Sequence, residues 1–293
     1  MKNFYLDNDN LQQQGECALP LKPTANTDLI LKTIMDHFAF HDAPVDVKEM
    51  AESMEFYLRT RKRLMGMAKK RIMKNARSGN GDEDSICTKC EVNEKIVQVF
   101  DMCSGHGLTG MLFAACNPPK ATQNNRTLVV ETHLVDVVEP LSHVVLRELI
   151  ADVCPWIKDN VYFHACRLEE LITTNDRSTD VSIECSNEND SDTAVVAGSC
   201  PIVIATHACG KLTDQVLHQA VDMNACAIAA MPCCYTGTDK GVSYGIRRAL
   251  GVAWAADIRR TQFLDDNKYH VDYATIPLEI TPLNRIIMAE ERL

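Results

Sequence analysis

The chain has 293 residues, 46% of them hydrophobic, and a formal net charge of −10. That length suits one sizeable α/β domain with an appendage, or two small domains. No run of about 18 consecutive apolar residues occurs, so no membrane-spanning helix is expected, and the acidic balance argues against indiscriminate coating of nucleic acid.

Residues 1–26 are polar and rich in Asn and Gln and are expected to form a loose arm. They lack the basic-then-apolar layout of a secretion signal. The chain contains thirteen cysteines, but it is neither small nor visibly secreted, and many of them sit in apolar or glycine-rich runs. They read as reduced thiols packed as small hydrophobes, so an intracellular setting, cytoplasmic or nuclear, is expected.

A helical N-terminal region is predicted over residues 27–85, with helices at Thr27–Phe40 and Val45–Ala76. Thr27 or Asp28 can cap the first, and Asp46 with Glu49 resembles a capping box for the second. Leu58, Met65, Ala68 and Ile72 recur at helical spacing along the second helix. Its other face is basic: Arg59, Arg61, Lys62, Arg63, Lys69, Lys70, Arg71, Lys74 and Arg77 occur with no Asp or Glu among them. Such a face either neutralises phosphates or is simply solvated. Arg63, Lys69, Lys70 and Arg71 are its candidate substrate-binding residues, with RNA as the candidate partner. The turn-rich stretch Ser78–Ser85 ends this region.

Residues 86–293 then alternate strand, loop and helix. Strands are expected at Ile96–Met102, within Leu128–Glu139, and at Val161–Cys166, Pro201–Thr206 and Cys226–Met231. Helices are expected at Leu108–Cys116, Pro140–Val153, Leu212–Val221 and Ser243–Phe263, and strand-like runs close the chain over Tyr273–Glu290. Residues 117–126 read as a loop and the acidic stretch 176–199 as a disordered insertion. Strands alternating with helices imply a doubly wound parallel sheet covered on both faces.

Chemistry concentrates first at Asp101-Met-Cys103-Ser104-Gly105-His-Gly107-Leu-Thr-Gly110. This loop leaves one strand and opens a helix. Glycines at this spacing permit a tight turn, a close backbone approach to a ligand and close helix–strand packing. A carboxylate at the end of the next strand would accept hydrogen bonds from ribose hydroxyls. Asp136 and Glu139 both qualify, and Glu139, immediately before Pro140, is the better placed. This geometry serves NAD and S-adenosylmethionine alike, so the residues alone specify an adenosine cofactor.

Three blocks occur in order between Lys95 and Tyr235: Asp101-x-Cys-Ser-Gly-x-Gly, Thr206-His-Ala-Cys-Gly210-x-Leu-Thr-Asp214 and Met231-Pro-Cys-Cys-Tyr235. Together they resemble a group of Rossmann-like S-adenosylmethionine-dependent methyltransferases. The group includes the methyltransferase-like domain of glutathione S-transferase C-terminal domain-containing protein, its methyltransferase-like relatives and, more distantly, a tRNA 2′-O-methyltransferase. The resemblance implies S-adenosylmethionine as cofactor, held by Asp101, Cys103, Ser104, Gly105, Gly107 and Glu139, with Arg167 and Leu168 at the adenine. The acidic insertion departs from the pattern, and the zinc modules of the tRNA enzyme are missing.

His207-Ala-Cys209-Gly210 and Cys233-Cys234-Tyr235 end two adjacent strands, so they should converge beside the cofactor. His207 is a candidate general base, a cofactor ligand, or a satisfied strand-end residue. Cys233 and Cys234 after Pro232 suggest a thiol nucleophile, with Tyr235 beside them, but adjacent buried thiols filling small spaces are the leading explanation. Cys209, Cys233, Cys234 and His207 are acceptable zinc ligands, yet they lack paired Cys-x-x-Cys spacing. Cys87 and Cys90, the pair that has it, lack a partner pair, so no metal is expected. Thr213 and Asp214 read as caps of the following helix. A methyltransferase acting on tRNA or rRNA is the leading expectation. The alternatives are a protein or small-molecule methyltransferase, or a non-catalytic cofactor-binding protein.

Overall fold

A computed structural model describes residues 20–78, 94–121, 127–170, 172–173, 183–184, 200–238 and 241–292. Cys87 and Cys90, most of the N-terminal arm and most of the 176–199 insertion lie outside the described residues.

Two helices come first, α1 (Thr27–Phe40) and α2 (Val47–Ser78). The α1 cap is Asn26, whose Oδ1 accepts the Leu29 N–H at 2.8 Å. Neither Thr27 nor Asp28 caps it, because both already lie inside the first turn. The Asp46 cap of α2 forms as expected, with Oδ1 accepting the Glu49 N–H at 2.7 Å.

Seven long strands follow: β1 (Glu94–Met102), β2 (Thr127–Asp136), β3 (Val161–Ala165), β4 (Cys200–Ala205), β5 (Ala227–Ala230), β6 (Tyr269–Thr275) and β7 (Arg285–Glu291). Their order in the sheet is β3-β2-β1-β4-β5-β7-β6, parallel except for β7, which runs antiparallel to both its neighbours. The reversal at β7 follows from its short connection to β6, which leaves no room for a crossover helix. An eighth strand, Lys120–Ala121, pairs with the start of β2 inside the segment expected to be a loop. Residues 172–173 pair with 183–184, so the start of the acidic insertion also holds a short ladder.

Period-2 alternation sends β4 residues Cys200, Ile202 and Ile204 to one face and Val203 and Ala205 to the other. The first face is covered by α1, α2, α3 (Leu108–Ala115) and α4 (Leu141–Val153), and the second by α5 (Lys211–Asp222) and α6 (Tyr244–Asp266). This is the expected doubly wound α/β sheet with helices on both faces, and the helical N-terminal region is laid onto the sheet. Helices α1 and α2 share one apolar cluster with α3, α4 and the strands, through Ile30, Ile34, Phe56, Tyr57 and Leu64. The α2 stripe is rotated from the expected one. Met65 and Ala68 are buried, but Leu58 faces solvent while Phe56 and Tyr57 pack inward, Tyr57 edge-on to Phe113.

Helix α5 corrects another expectation. The Thr213 hydroxyl donates to the Ala208 carbonyl, and Asp214 pairs with Arg259 and Arg260. Neither caps the helix, because a buried guanidinium competes better for the carboxylate than the exposed N–H groups do. Among the described residues no helix is long and apolar enough to cross a membrane.

Candidate functional site

The strand ends of a parallel sheet place their loops along one edge, and the site is built there. At the β1 end, Asp101 is buried, and its Oδ2 accepts the Gly110 N–H at 2.8 Å across the loop. Burial pushes its carboxyl up to about 7. The turn holds Cys103 and Gly105 in the left-handed region, at φ 58° and 57°. Gly107 lies at φ 77°, and a Cβ there would stand 2.5 Å from Leu134 Cδ1, so both conformation and packing require glycine. Gly105 faces open space, with nothing within 4 Å of the place a Cβ would take.

At the β2 end the carboxylate in position is Asp136. Its Oδ2 accepts the Gly105 N–H at 2.8 Å and its Oδ1 the Val137 N–H at 2.7 Å. Glu139 stands three residues beyond the strand, largely exposed, 3.6 Å from His143. The Arg167 N–H is taken by Glu170, and Leu168 is buried under the β3 end.

These residues fit an adenosine cofactor. A bare glycine edge opens to solvent, and a strand-end carboxylate keeps lone pairs free. The buried Asp101 Oδ1 and Ser104 Oγ have no hydrogen-bond partner among the described residues. Buried polar atoms left unpaired in the protein are what a polar ligand satisfies.

The β4 and β5 ends form the second half. Thr206 Oγ1 lies 3.2 Å from Thr109 Oγ1, which in turn is 3.1 Å from Ser53 Oγ on α2. The first turns of α2 thus reach over the site, whereas the sequence pointed to the later, basic turns of that helix. Glu49 Oε1 lies 2.7 Å from His106 Nε2 and 3.7 Å from His207 Nε2. The His106 hydrogen bond holds the Glu49 carboxyl below its ordinary range. Burial lowers His207, against the opposing pull of Glu49. A pocket of about 280 Å³ opens between α2 and the two strand ends, lined by Asp46, Glu49, Glu52, His207, Met231 and Cys233 among others.

Behind the pocket lies a charge network. Arg260, 2% exposed, donates to Asp214, Asp257 and the Gly210 carbonyl. Asp257, fully buried, also receives Arg285 at 2.8 Å and the Tyr235 hydroxyl at 2.7 Å. Burial and the Asp257 hydrogen bond push the Tyr235 phenol far up. Tyr235, expected beside the chemistry, is therefore a neutral donor tied into this network. Gly210, at φ 56°, sits where a Cβ would meet the Thr236 carbonyl at 2.3 Å, and its N–H donates to the Cys234 carbonyl. The network and this contact hold the two loops together. No local pattern announces it, since Asp257, Arg260 and Arg285 are ordinary charges in a helix and a strand.

The cysteines are not buried packing groups. Cys209 is exposed and Cys233 and Cys234 half-buried, with all three Sγ atoms within 4.8 Å of one another. Cys209 and Cys233 are in bonding contact, their Cα atoms 5.5 Å apart. A pair of reduced, space-filling thiols does not describe them. The Thr236 N–H holds the Cys234 thiol below its ordinary range.

The basic helix is partly spent within the molecule. Arg63 pairs with Asp272 and Glu290, and Arg71 with the Asn224 carbonyl and Glu291. These two hold α2 against β6 and β7, whereas Lys69 and Lys70 remain exposed.

Residues 157–240 match the family described as "Methyltransferase domain". No curated protein matches the chain. Among solved structures, an Aeropyrum pernix fibrillarin in complex with natively bound S-adenosyl-L-methionine is 10% identical. It covers 68% of each chain with a TM-score of 0.37. An rRNA methylase from Streptococcus thermophilus is 13% identical over 68% of this chain and 87% of its own, with a TM-score of 0.34. The Methanococcus jannaschii fibrillarin pre-rRNA processing protein is 8% identical over 69% and 70%, with a TM-score of 0.38.

Proposed function

We propose that this chain is an S-adenosylmethionine-dependent methyltransferase whose acceptor enters the pocket between α2 and the β4 and β5 ends. The observation that carries the reading is the cofactor half of the edge. Unpaired buried Asp101 Oδ1 and Ser104 Oγ flank an open Gly105, beside the Asp136 carboxylate, on a sheet whose last-placed pair includes one reversed strand. The match of residues 157–240 to a methyltransferase domain supports it.

Asp101, Cys103, Ser104, Gly105 and Gly107 would hold the cofactor, with Asp136 rather than Glu139 at the ribose. The cofactor supplies an electrophilic methyl group. His207, half-buried at the pocket wall, is the group able to accept the acceptor's proton, and the Glu49 carboxylate 3.7 Å away stabilises its charged form. Arg260 and Asp257 fix the loop that carries His207.

RNA is the first acceptor class to consider. Lys69 and Lys70 form an exposed basic end of α2, about 30 Å along the helix from Glu49 by its rise per residue. An RNA contacting both must span that distance, which structured RNA can do. A second reading rests on the pocket itself. Asp46, Glu49 and Glu52 outnumber Lys48 there, which favours an amine-bearing protein or small molecule over a phosphate.

Calorimetry should show binding of S-adenosylmethionine and none of NAD; the reverse sinks the reading. Transfer of labelled methyl groups should mark the RNA fraction, and Lys69→Glu with Lys70→Glu should weaken RNA binding and flatten its salt dependence. Labelled protein with unlabelled RNA would decide for the second reading. His207→Ala should lower kcat by roughly 10²–10⁴-fold while cofactor binding persists.

A further inference from the structure

Most described cysteines behave as small apolar side chains: Cys116, Cys154, Cys166, Cys200 and Cys226 are all buried in the core. Cys209, Cys233 and Cys234 differ. They come from two loops that leave adjacent parallel strands, and their sulfurs converge at a partly exposed point beside the pocket, whose lining includes Cys233.

The platform beneath them is rigid. The Gly210 N–H donates to the Cys234 carbonyl, and the Met231 N–H to the Ala205 carbonyl at 2.8 Å. The buried Arg260 grips the Gly210 carbonyl from behind and brings positive charge to the back of the cluster. A bond between Cys209 and Cys233 accounts for two of the thiols and leaves the third without a reason to be there. A thiophilic cation uses all three. Tetrahedral Zn²⁺, with Zn–S bonds of about 2.3 Å, keeps its sulfurs about 3.8 Å apart, inside the 4.8 Å envelope.

We propose that the reduced Cys209, Cys233 and Cys234 form a three-thiolate site for one Zn²⁺ ion at the edge of the pocket. The three thiols release their protons as the metal binds. The closed Cys209–Cys233 pair is the alternative, metal-free state. Opening it takes two electrons and two protons, either from two thiols that leave as a disulfide or from a phosphine with one water that leave as the phosphine oxide. Three protein ligands leave a fourth position for water or substrate, and Cys233 lines the same pocket as His207. The site stands independently of the methyltransferase reading, because its readout is the metal and not methyl transfer.

The test uses the full chain, reduced with a phosphine, stripped with a chelator and titrated with Co²⁺ and then Zn²⁺. One equivalent of Co²⁺ should produce intense thiolate-to-cobalt charge-transfer absorption, and Zn²⁺ should abolish it. Cys209→Ser, Cys233→Ser and Cys234→Ser should each weaken Zn²⁺ binding by more than the roughly 10–100-fold of an outer-shell change. Circular dichroism checks that each variant is folded. Cys87→Ser with Cys90→Ser should leave the absorption intact. The proposal is overturned if the absorption follows Cys87 and Cys90 instead, or if Cys234→Ser binds like the parent. It is equally overturned if the three thiols titrate free without binding metal, or if the Cys209–Cys233 bond survives the reductant.

Discussion

The two halves of the site edge are built by different means. The half at β1 and β2, where we place the cofactor, is made of backbone and small residues: a left-handed turn, a glycine facing open space, and two short carboxylates taking N–H bonds from the chain beside them. The half at β4 and β5, where we place the acceptor, is made of long side chains from distant segments: Glu49 from α2, Asp257 and Arg260 from α6, and Arg285 from β7. A local turn can be specified by a few consecutive residues. A convergent cluster depends on the whole fold being in place before any of its members has a role.

If that contrast is right, the largest effect comes from breaking the acceptor half's support. Asp257→Ala leaves Arg260 and Arg285 without their shared buried carboxylate and should cost about 3–5 kcal/mol of stability. Thermal unfolding checks this, and a loss below about 1 kcal/mol would show the network to be dispensable.

The next test falls on Asp101. Burial raises its carboxyl in the folded protein to about 7, from an ordinary 3.8. Between these values the native state holds a proton that the unfolded chain has lost, so stability falls as pH rises through that window. Asp101→Asn should remove this part of the slope in unfolding measurements from pH 4 to 8. An unchanged slope would mean that other groups set it.

Smaller again is the ribose contact we propose for Asp136. Asp136→Asn should weaken S-adenosylmethionine binding by about 10–100-fold, the loss expected of a charge-assisted hydrogen bond. Glu139→Gln should change it by less than about twofold, since Glu139 stands exposed beside His143. The opposite ranking would return the ribose to Glu139.

The same contrast governs what was legible beforehand. Strand–loop–helix alternation and the glycine spacing specify the sheet and the cofactor loop, because both are local patterns read at period 2 or at fixed offsets. The His207 and Cys233 loops were legible as strand ends. Choosing Glu139 over Asp136 depended on where β2 stops, which differs by three residues and is settled by pairing with β1 and β3. The α2 face was misjudged because Leu58 fits the helical period, while the sheet beneath selects Phe56 and Tyr57. Arg63 and Arg71 looked like a phosphate-binding stripe. Their acidic partners on β6 and β7 lie some 200 residues away, beyond any local pattern.

The central strand also bears on how the molecule is made. β1 pairs on one side with β4, Val97 opposite Cys200, which closes a loop of about 100 residues. The entropy of closing a loop grows only with the logarithm of its length, about 0.6 kcal/mol per doubling. An insertion between β3 and β4 therefore costs the finished protein little. Its burden falls on the folding rate, because a sheet whose middle pairing is so distant in the chain assembles slowly. Helices α1 and α2 seat chiefly on α4 and α3 rather than on one another, so their docking also waits for the sheet domain.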